Sequence, residues 1–133
     1  MKLFIYSYFL FLFLQFTSLQ KSKPIEESIA DGEEIYQDFC LQCHLSNGEG
    51  VSGIFPPLAN SDYLFDDIDR SIRNIKYGVS GPIIVNEQEY NSVMLNNGLD
   101  DDEVADVMNY ILNSWGNKSD EIITKERVAK VSE

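Results

Sequence analysis

The sequence predicts a small, mainly helical domain with very little sheet. Residues 29–39, 68–77 and 101–115 place apolar side chains at helical intervals. The run of β-branched residues Ile83-Ile84-Val85 is too short for an extended sheet, and with Asn86-Glu87 at a bend it indicates one short hairpin. At 133 residues the chain has room for one domain with a modest core and an N-terminal extension.

The N-terminal extension has the build of a secretory signal peptide, which we place at residues 1–20. Lys2 is followed by an almost unbroken apolar stretch that is short for a membrane span of about 20 apolar residues. Because no A-x-A-like triplet precedes Lys21, an uncleaved membrane anchor is the alternative. The sequence therefore predicts an exported, periplasmic protein that meets a membrane only through such an anchor. Residues 21–28 are expected to be a flexible lead-in.

The domain proper is predicted at residues 29–117, and its first helix runs from about Ile29 to Phe39. Gly32 and Tyr36 are four residues apart and share one face of this helix. A second helix could therefore approach closely over the glycine and pack on the tyrosine ring.

The first helix leads into Cys40-Leu41-Gln42-Cys43-His44, a C-x-x-C-H motif that is typical of covalent haem attachment. Positions i, i+3 and i+4 of a helix share one face, so both thiols and the imidazole would point into the same space. The thiols of Cys40 and Cys43 can form thioether bonds to the two vinyl groups of a haem, and His44 can ligate the iron. The motif predicts one covalent haem c.

A redox-active dithiol and half of a zinc site are the alternative interpretations of a C-x-x-C pair. Zinc would need four ligands, whereas the chain has only two Cys and one His. A redox dithiol is expected near a βαβ pattern, which the flanking sequence lacks. Both alternatives are disfavoured.

The segment after the motif predicts a loop followed by a rigid wall. Residues 45–53 are rich in glycine and small polar side chains, which is typical of a loop. Pro56 and Pro57 stand between apolar residues and cannot occupy a helix interior. A carbonyl of this segment could accept the second ring N–H of His44 and orient the imidazole. A plain rigid turn is the alternative for each proline.

A short helix is predicted at residues 68–77, with Asp66-Asp67 before its start and Gly78 as its stop. Its basic cluster, Arg70, Arg73 and Lys76, could meet a haem propionate, although a solvated helix face is the simpler interpretation.

Met94 lies in an aperiodic stretch, which predicts that it belongs to a loop. A thioether is a soft ligand suited to haem iron, and its combination with histidine raises the reduction potential of an electron carrier. Met94 is therefore the candidate second axial ligand. Its rival, Met108, lies on the apolar stripe of the last predicted helix and is interpreted as core.

The last long helix is predicted over residues 101–115, capped by Asp100 or Asp101 and ended by Gly116. Residues 118–133 form a polar tail, in which residues 124–131 could be a short capped helix.

The formal net charge of −12 excludes nucleic acid and anionic membrane surfaces as favourable partners. A partner that presents basic residues around its own redox centre would be favoured in encounter. The alternative is that the charge only keeps an exported protein soluble.

From Gly32 to Gly116 the chain resembles the small monohaem class I cytochromes c. Gly32 and Tyr36 stand where that family has a glycine and an aromatic residue before the attachment motif, and Val107 and Tyr110 resemble their counterparts on the C-terminal helix. The resemblance implies an all-α cytochrome c fold, with about four to five helices around one haem and little or no sheet.

The resemblance also implies ligand roles. Pro56 is similar to the family proline whose carbonyl holds the proximal histidine, and Met94 corresponds to the distal ligand. Cytochrome domains associated with copper nitrite reductases and periplasmic dehydrogenases are similar at residues 55–60, 78–83 and 90–94. Those relatives usually have proline after the methionine, where this chain has Leu95.

The function implied by this resemblance is that of an electron carrier and not of an enzyme. It would carry one electron on haem c between partners such as a terminal oxidase, a nitrite reductase or a dehydrogenase. One alternative is a haem protein with an open iron position, if Met94 does not ligate. Another is a haem subunit permanently docked on a dehydrogenase or reductase.

Overall fold

The computed structural model describes residues 23–133, which form six helices and one hairpin. The helices are α1 (Ile25–Phe39), α2 (Leu41–His44), α3 (Asp62–Asp66), α4 (Ile68–Tyr77), α5 (Asp101–Leu112) and α6 (Lys125–Lys130). The hairpin pairs β1 (Ile83–Val85) with β2 (Gln88–Tyr90) in antiparallel register. The predicted all-α class is confirmed. The helix number exceeds the expected four to five because α2 and α3 are single turns.

Helix α1 packs across α5 at Gly32. A Cβ atom on this glycine would lie 2.1 Å from the backbone oxygen of Asp106 in α5. The close helix approach predicted over Gly32 is therefore confirmed. Tyr36 packs one turn further along, with its ring centroid 5.4 Å from that of Tyr110.

Helix α1 begins earlier than expected. Its first residue is Ile25, so the start predicted at about Ile29, and with it the flexible lead-in over the last part of residues 21–28, is wrong. Pro24 directly precedes the helix, where its missing N–H costs no intrahelical bond. Two glutamates in the first turn add a favourable interaction with the helix dipole.

Helix α5 ends at Leu112, so the predicted helix end at Trp115 is wrong. The side chains of Asn113 and Ser114 donate to carbonyls one turn back in the helix, at 2.8 and 2.7 Å. These side-chain donors compete with the backbone ladder and end it. Trp115 lies beyond the helix with a φ of 54°.

Several local start and stop signals are confirmed. Asp67 caps α4 by accepting a hydrogen bond from the backbone of Arg70, and Gly78 ends that helix. Asp100 caps α5 in a full capping box. Asn86 and Glu87, both with positive φ, form the bend of the hairpin.

The C-terminal tail is part of the core. The amide of Asn109 in α5 accepts from the backbone N–H of Ile123 at 2.8 Å and donates to its carbonyl at 2.9 Å. Thr124 caps α6, as predicted. The tail residue Val128 is fully buried together with side chains from α1, α4 and α5: Tyr36, Ile72, Val104, Val107, Met108 and Leu112.

The basic cluster of α4 makes contacts within the protein. Lys76 pairs with Asp101 at 3.0 Å, and the guanidinium of Arg70 lies 3.6 Å from the ring centroid of Tyr63. Arg73 donates to a carbonyl of the C-terminal tail. The solvated helix face expected for this cluster holds only for Arg73, because Arg70 and Lys76 are half-buried.

Within residues 23–133, no helix is long and apolar enough to cross a bilayer. The signal segment predicted at residues 1–20 lies outside the described residues.

Candidate haem site

The C-x-x-C-H motif lies at the junction of α1 and α2. Cys40 caps the end of α1, and Cys43 and His44 lie in α2. The backbone N–H groups of Cys43 and His44 both donate to the carbonyl of Cys40, at 3.1 and 2.9 Å. The expected helical relation between the three side chains therefore holds, although the helix is interrupted at Cys40.

His44 is buried and has one ring nitrogen paired. Its Nδ1 donates to the backbone oxygen of Pro56 at 3.0 Å, so the structure brings these two predicted site residues together. Because a carbonyl can only accept, Nδ1 carries the proton and Nε2 is free of one in the neutral ring. Burial lowers the pKa of His44 below its ordinary value, and the hydrogen bond to Pro56 opposes this only partly. A neutral imidazole with a fixed tautomer is the form that ligates a metal.

Gly50 lets the proline segment reach His44. A Cβ atom on Gly50, which has a φ of +62°, would lie 2.6 Å from the oxygen of Pro56. The same loop is joined to this segment at Gly48, whose carbonyl accepts from the N–H groups of Leu58 and Ala59 at 2.7 and 2.9 Å. The loop and the proline wall thus form one unit around the imidazole.

The Cys40 thiol does not have the lowered pKa of a reactive cysteine. Both cysteines are free and half-buried. Burial, and to a smaller degree the neighbouring Cys43, raises the pKa of Cys40 to about 11. Reactive cysteines instead have a lowered pKa, because their surroundings stabilise the thiolate.

No group of three or more metal-binding side chains is assembled among residues 23–133.

Met94 lies in the loop after β2, where it makes an isolated bridge with Val79. The two residues exchange backbone hydrogen bonds of 2.9 Å, and Gly78 packs against the carbonyl of Met94. Ser92 donates to the carbonyl of Ile54 at 2.7 Å, which ties the Met94 loop to the segment that carries Pro56. Met94 is half-buried, whereas Met108 is 0% exposed in the core.

Two hydrogen bonds to the turn directly after the motif were not predicted from the sequence. The hydroxyl of Tyr36 donates to the carbonyl of Leu45 at 2.7 Å, and the indole N–H of Trp115 donates to the carbonyl of Ser46 at 3.0 Å. Burial raises the pKa of Tyr36, so its hydroxyl keeps the proton that it donates. The aromatic residues indicated packing but not these hydrogen bonds. Every residue carries a backbone carbonyl, so residue type does not identify the acceptor.

A family model described as Cytochrome c matches residues 29–115. The chain belongs to the cytochrome c family. It is 39% identical over 111 residues to Cytochrome c-552 of Thermus thermophilus, which covers 77% of this chain and 84% of the relative.

Subunits of larger enzymes are also similar. The cytochrome c subunit of alcohol dehydrogenase (quinone) from Gluconobacter oxydans is 30% identical over 102 residues, which cover 75% of this chain and 21% of the subunit. The cbb3-type cytochrome c oxidase subunit FixP of Bradyrhizobium diazoefficiens is 32% identical over 84 residues, which cover 62% of this chain and 29% of the subunit. Family and relatives support electron transfer as the general function.

The family implies one covalently bound haem c with its iron, and the described residues fit this group. Cys40 and Cys43 suit the thioether attachment, and Nε2 of His44 is available to a metal. Apolar side chains are exposed on the two segments that Ser92 joins: Ile54 is 51%, Val93 63% and Leu95 72% exposed. Such side chains can cover the apolar body of a porphyrin.

Proposed function

We propose that this chain is a one-electron carrier in which Cys40 and Cys43 attach the haem and His44 and Met94 ligate the iron. The observation that carries the proposal is the His44 ring, held by the Pro56 carbonyl beside the two cysteines. When bound, the haem supplies an iron that cycles between the ferrous and ferric states. The chain itself makes and breaks no bond of a substrate, so we propose no enzymatic activity.

The roles of the side chains follow from their contacts. The Pro56 carbonyl orients the His44 ring and raises its basicity as a ligand. Met94 offers a thioether from a loop whose backbone is fixed by Val79. Ile54 and Leu95 supply apolar surface that excludes water, and this lowers the local dielectric constant around the site.

Mass spectrometry of the denatured protein tests the attachment. We expect the mass of one haem to stay on the native chain after denaturation and to be absent from the double variant Cys40→Ser/Cys43→Ser, because thioether bonds survive unfolding. The single variants are the matched controls, since each retains one thiol. A native mass equal to that of the bare chain would contradict the proposed function. The same spectrum reports whether residues 1–20 have been removed.

We further propose that the carrier is exported to the periplasm and meets redox partners with basic surfaces. The chain has no Lys or Arg between residues 24 and 69 or between residues 77 and 117. These two stretches contain Cys40, His44 and Met94, whereas most of the basic residues lie on α4 and α6. The charge distribution therefore favours a terminal oxidase, nitrite reductase or dehydrogenase that presents basic residues around its own centre.

The salt dependence of electron transfer tests the partner surface. We expect the bimolecular rate with a basic redox protein to fall as ionic strength rises, because salt screens the attraction. An uncharged small-molecule oxidant is the control, and its rate should stay constant. A rate with the basic protein that rises with salt would refute the proposed attraction.

A permanently docked haem subunit is the second candidate function, favoured by the similarity to dehydrogenase and oxidase subunits. Native size measured after gentle extraction from the host distinguishes the two. A lone monomer supports the carrier, and stable co-elution with a dehydrogenase or oxidase supports the subunit.

A further inference from the structure

The backbone is strained directly after the proposed iron ligand. Leu45, which follows His44, has φ 62° and ψ 173°, a combination that is essentially restricted to glycine. Such a conformation persists only where surrounding contacts over-determine it. The contacts that hold Leu45 in this conformation therefore also influence the position of the neighbouring His44.

Side chains from α1 and from the segment after α5 hold the carbonyls of this turn. The carbonyl of Leu45 accepts from the Tyr36 hydroxyl at 2.7 Å and from the N–H of Gly48 at 3.2 Å. The next carbonyl, of Ser46, accepts from the Trp115 indole at 3.0 Å. Tyr36 is 1% exposed, so its hydrogen bond is shielded from water.

The two donors belong to one aromatic cluster. The ring centroids of Tyr36 and Trp115 are 4.9 Å apart, and Tyr110 lies 5.4 Å from each of them. The Trp115 ring also packs on the loop, because a Cβ atom on Gly48 would lie 2.4 Å from it. Movement of one donor therefore disturbs the other.

The turn is connected to the acceptor of the His44 ring. Gly48 binds the segment after Pro56 through its carbonyl, and the N–H of Gly50 donates to the carbonyl of His44 at 3.0 Å. A shift of the turn thus moves both ends of the hydrogen bond between His44 and Pro56. Outer-shell contacts of this kind tune a metal ligand.

We propose that Tyr36 and Trp115 are positioning residues, which hold the strained turn at Leu45 and through it the hydrogen bond from His44 to Pro56. This inference rests on the proposed function, since it assigns His44 to the iron. A looser hydrogen bond makes the imidazole less basic and stabilises the ferric state less, so the midpoint potential rises.

The test compares Tyr36→Phe with Tyr110→Phe in the haem-loaded protein. Both variants keep the ring and lose one hydroxyl, but the Tyr110 hydroxyl makes no hydrogen bond to residues 45–48 in the described part of the chain. At a fixed applied potential we expect Tyr36→Phe to lower the oxidised-to-reduced ratio about threefold. We expect a modest change because Tyr36 acts through the turn, whereas loss of a direct outer-shell partner lowers metal affinity or activity roughly 10–100-fold. It corresponds to a rise of about 28 mV for one electron.

A second readout is the hydrogen exchange of the His44 Nδ1–H, measured by NMR in the ferrous protein. We expect it to accelerate several-fold in Tyr36→Phe and in Trp115→Phe, and to stay unchanged in Tyr110→Phe. If Tyr36→Phe matches Tyr110→Phe in both potential and exchange, the hydroxyl has a packing role only and the inference fails.

Leu45→Gly tests the role of backbone strain by comparing Tyr36→Phe in two backgrounds. Glycine adopts the conformation at position 45 without strain, so the turn needs less support. In this background Tyr36→Phe should shift the ratio less than in the native background, and an equal shift would overturn the inference. A native protein without covalent haem or a reversible one-electron couple would instead contradict the proposed function.

Discussion

Replacement of Met94 by alanine should abolish the weak red charge-transfer band of the ferric protein and lower its midpoint potential by on the order of 0.1 V or more. The reason is the loss of a soft sulfur ligand that favours the ferrous state, and axial ligation spans about 0.8 V in haem proteins. Absorption spectroscopy of the oxidised protein and a potentiometric titration measure the two effects. A new affinity for an external ligand such as imidazole should accompany them, because an iron position opens.

Met108→Leu is the matched control for this experiment. Met108 lies in α5 and is 0% exposed in the core. A volume-conserving change at this position should lower the free energy of unfolding by less than about 1.5 kcal/mol. The red band should persist in this variant. If the band is absent from the native protein, the proposed ligation of the iron by Met94 is wrong. If Met108→Leu loses the band and Met94→Ala keeps it, the ligand assignment is wrong.

Replacement of Gly32 by alanine should destabilise the protein by about 3 kcal/mol or more, although alanine is the better helix former. The added Cβ atom would lie 2.1 Å from the Asp106 oxygen, 2.5 Å from the Asp106 carbonyl carbon and 2.9 Å from the Tyr110 Cβ. Two of these atoms belong to backbone, so only a separation of α1 from α5 relieves the overlap. Denaturant unfolding of the haem-loaded protein, followed by circular dichroism, measures the loss.

The matched control is Ala30→Gly, an exposed position on the same helix. This variant reports helix propensity alone and should cost at most about 1 kcal/mol. Helix propensity alone predicts that Gly32→Ala raises the free energy of unfolding, whereas the contact with α5 predicts that it lowers this free energy. A neutral or stabilising Gly32→Ala would mean that the two helices do not approach so closely in solution.

The elements that sequence analysis predicted well are those with local causes. Asp67 and Gly78 bound α4 because a cap and a stop need only their own neighbouring backbone. The hairpin bend at Asn86-Glu87 is equally local. The predicted end of α5 was wrong because the side chains of Asn113 and Ser114 compete with the backbone hydrogen bonds of the helix. The spacing of apolar residues gives no information about this competition.

Site residues follow the same division. The spacing of Cys40, Cys43 and His44 could be interpreted from the sequence, since helical periodicity relates positions three and four apart wherever the helix lies. The proline segment indicated a carbonyl acceptor for His44, and the resemblance to class I cytochromes c pointed to Pro56. The structure adds the distance of 3.0 Å between His44 Nδ1 and the Pro56 oxygen, which depends on the close approach that Gly50 permits.

Sequence alone therefore established the haem attachment motif, the helical class and the Met94 candidate, because each has a signature of residue type and short spacing. The tertiary structure was needed for the support of Leu45 by Tyr36 and of Ser46 by Trp115, and for the anchoring of Ile123 by Asn109. In each of these pairs the acceptor or donor is a backbone group, which every residue carries. Partners of this kind are selected by packing between distant segments and not by the identity of the residue.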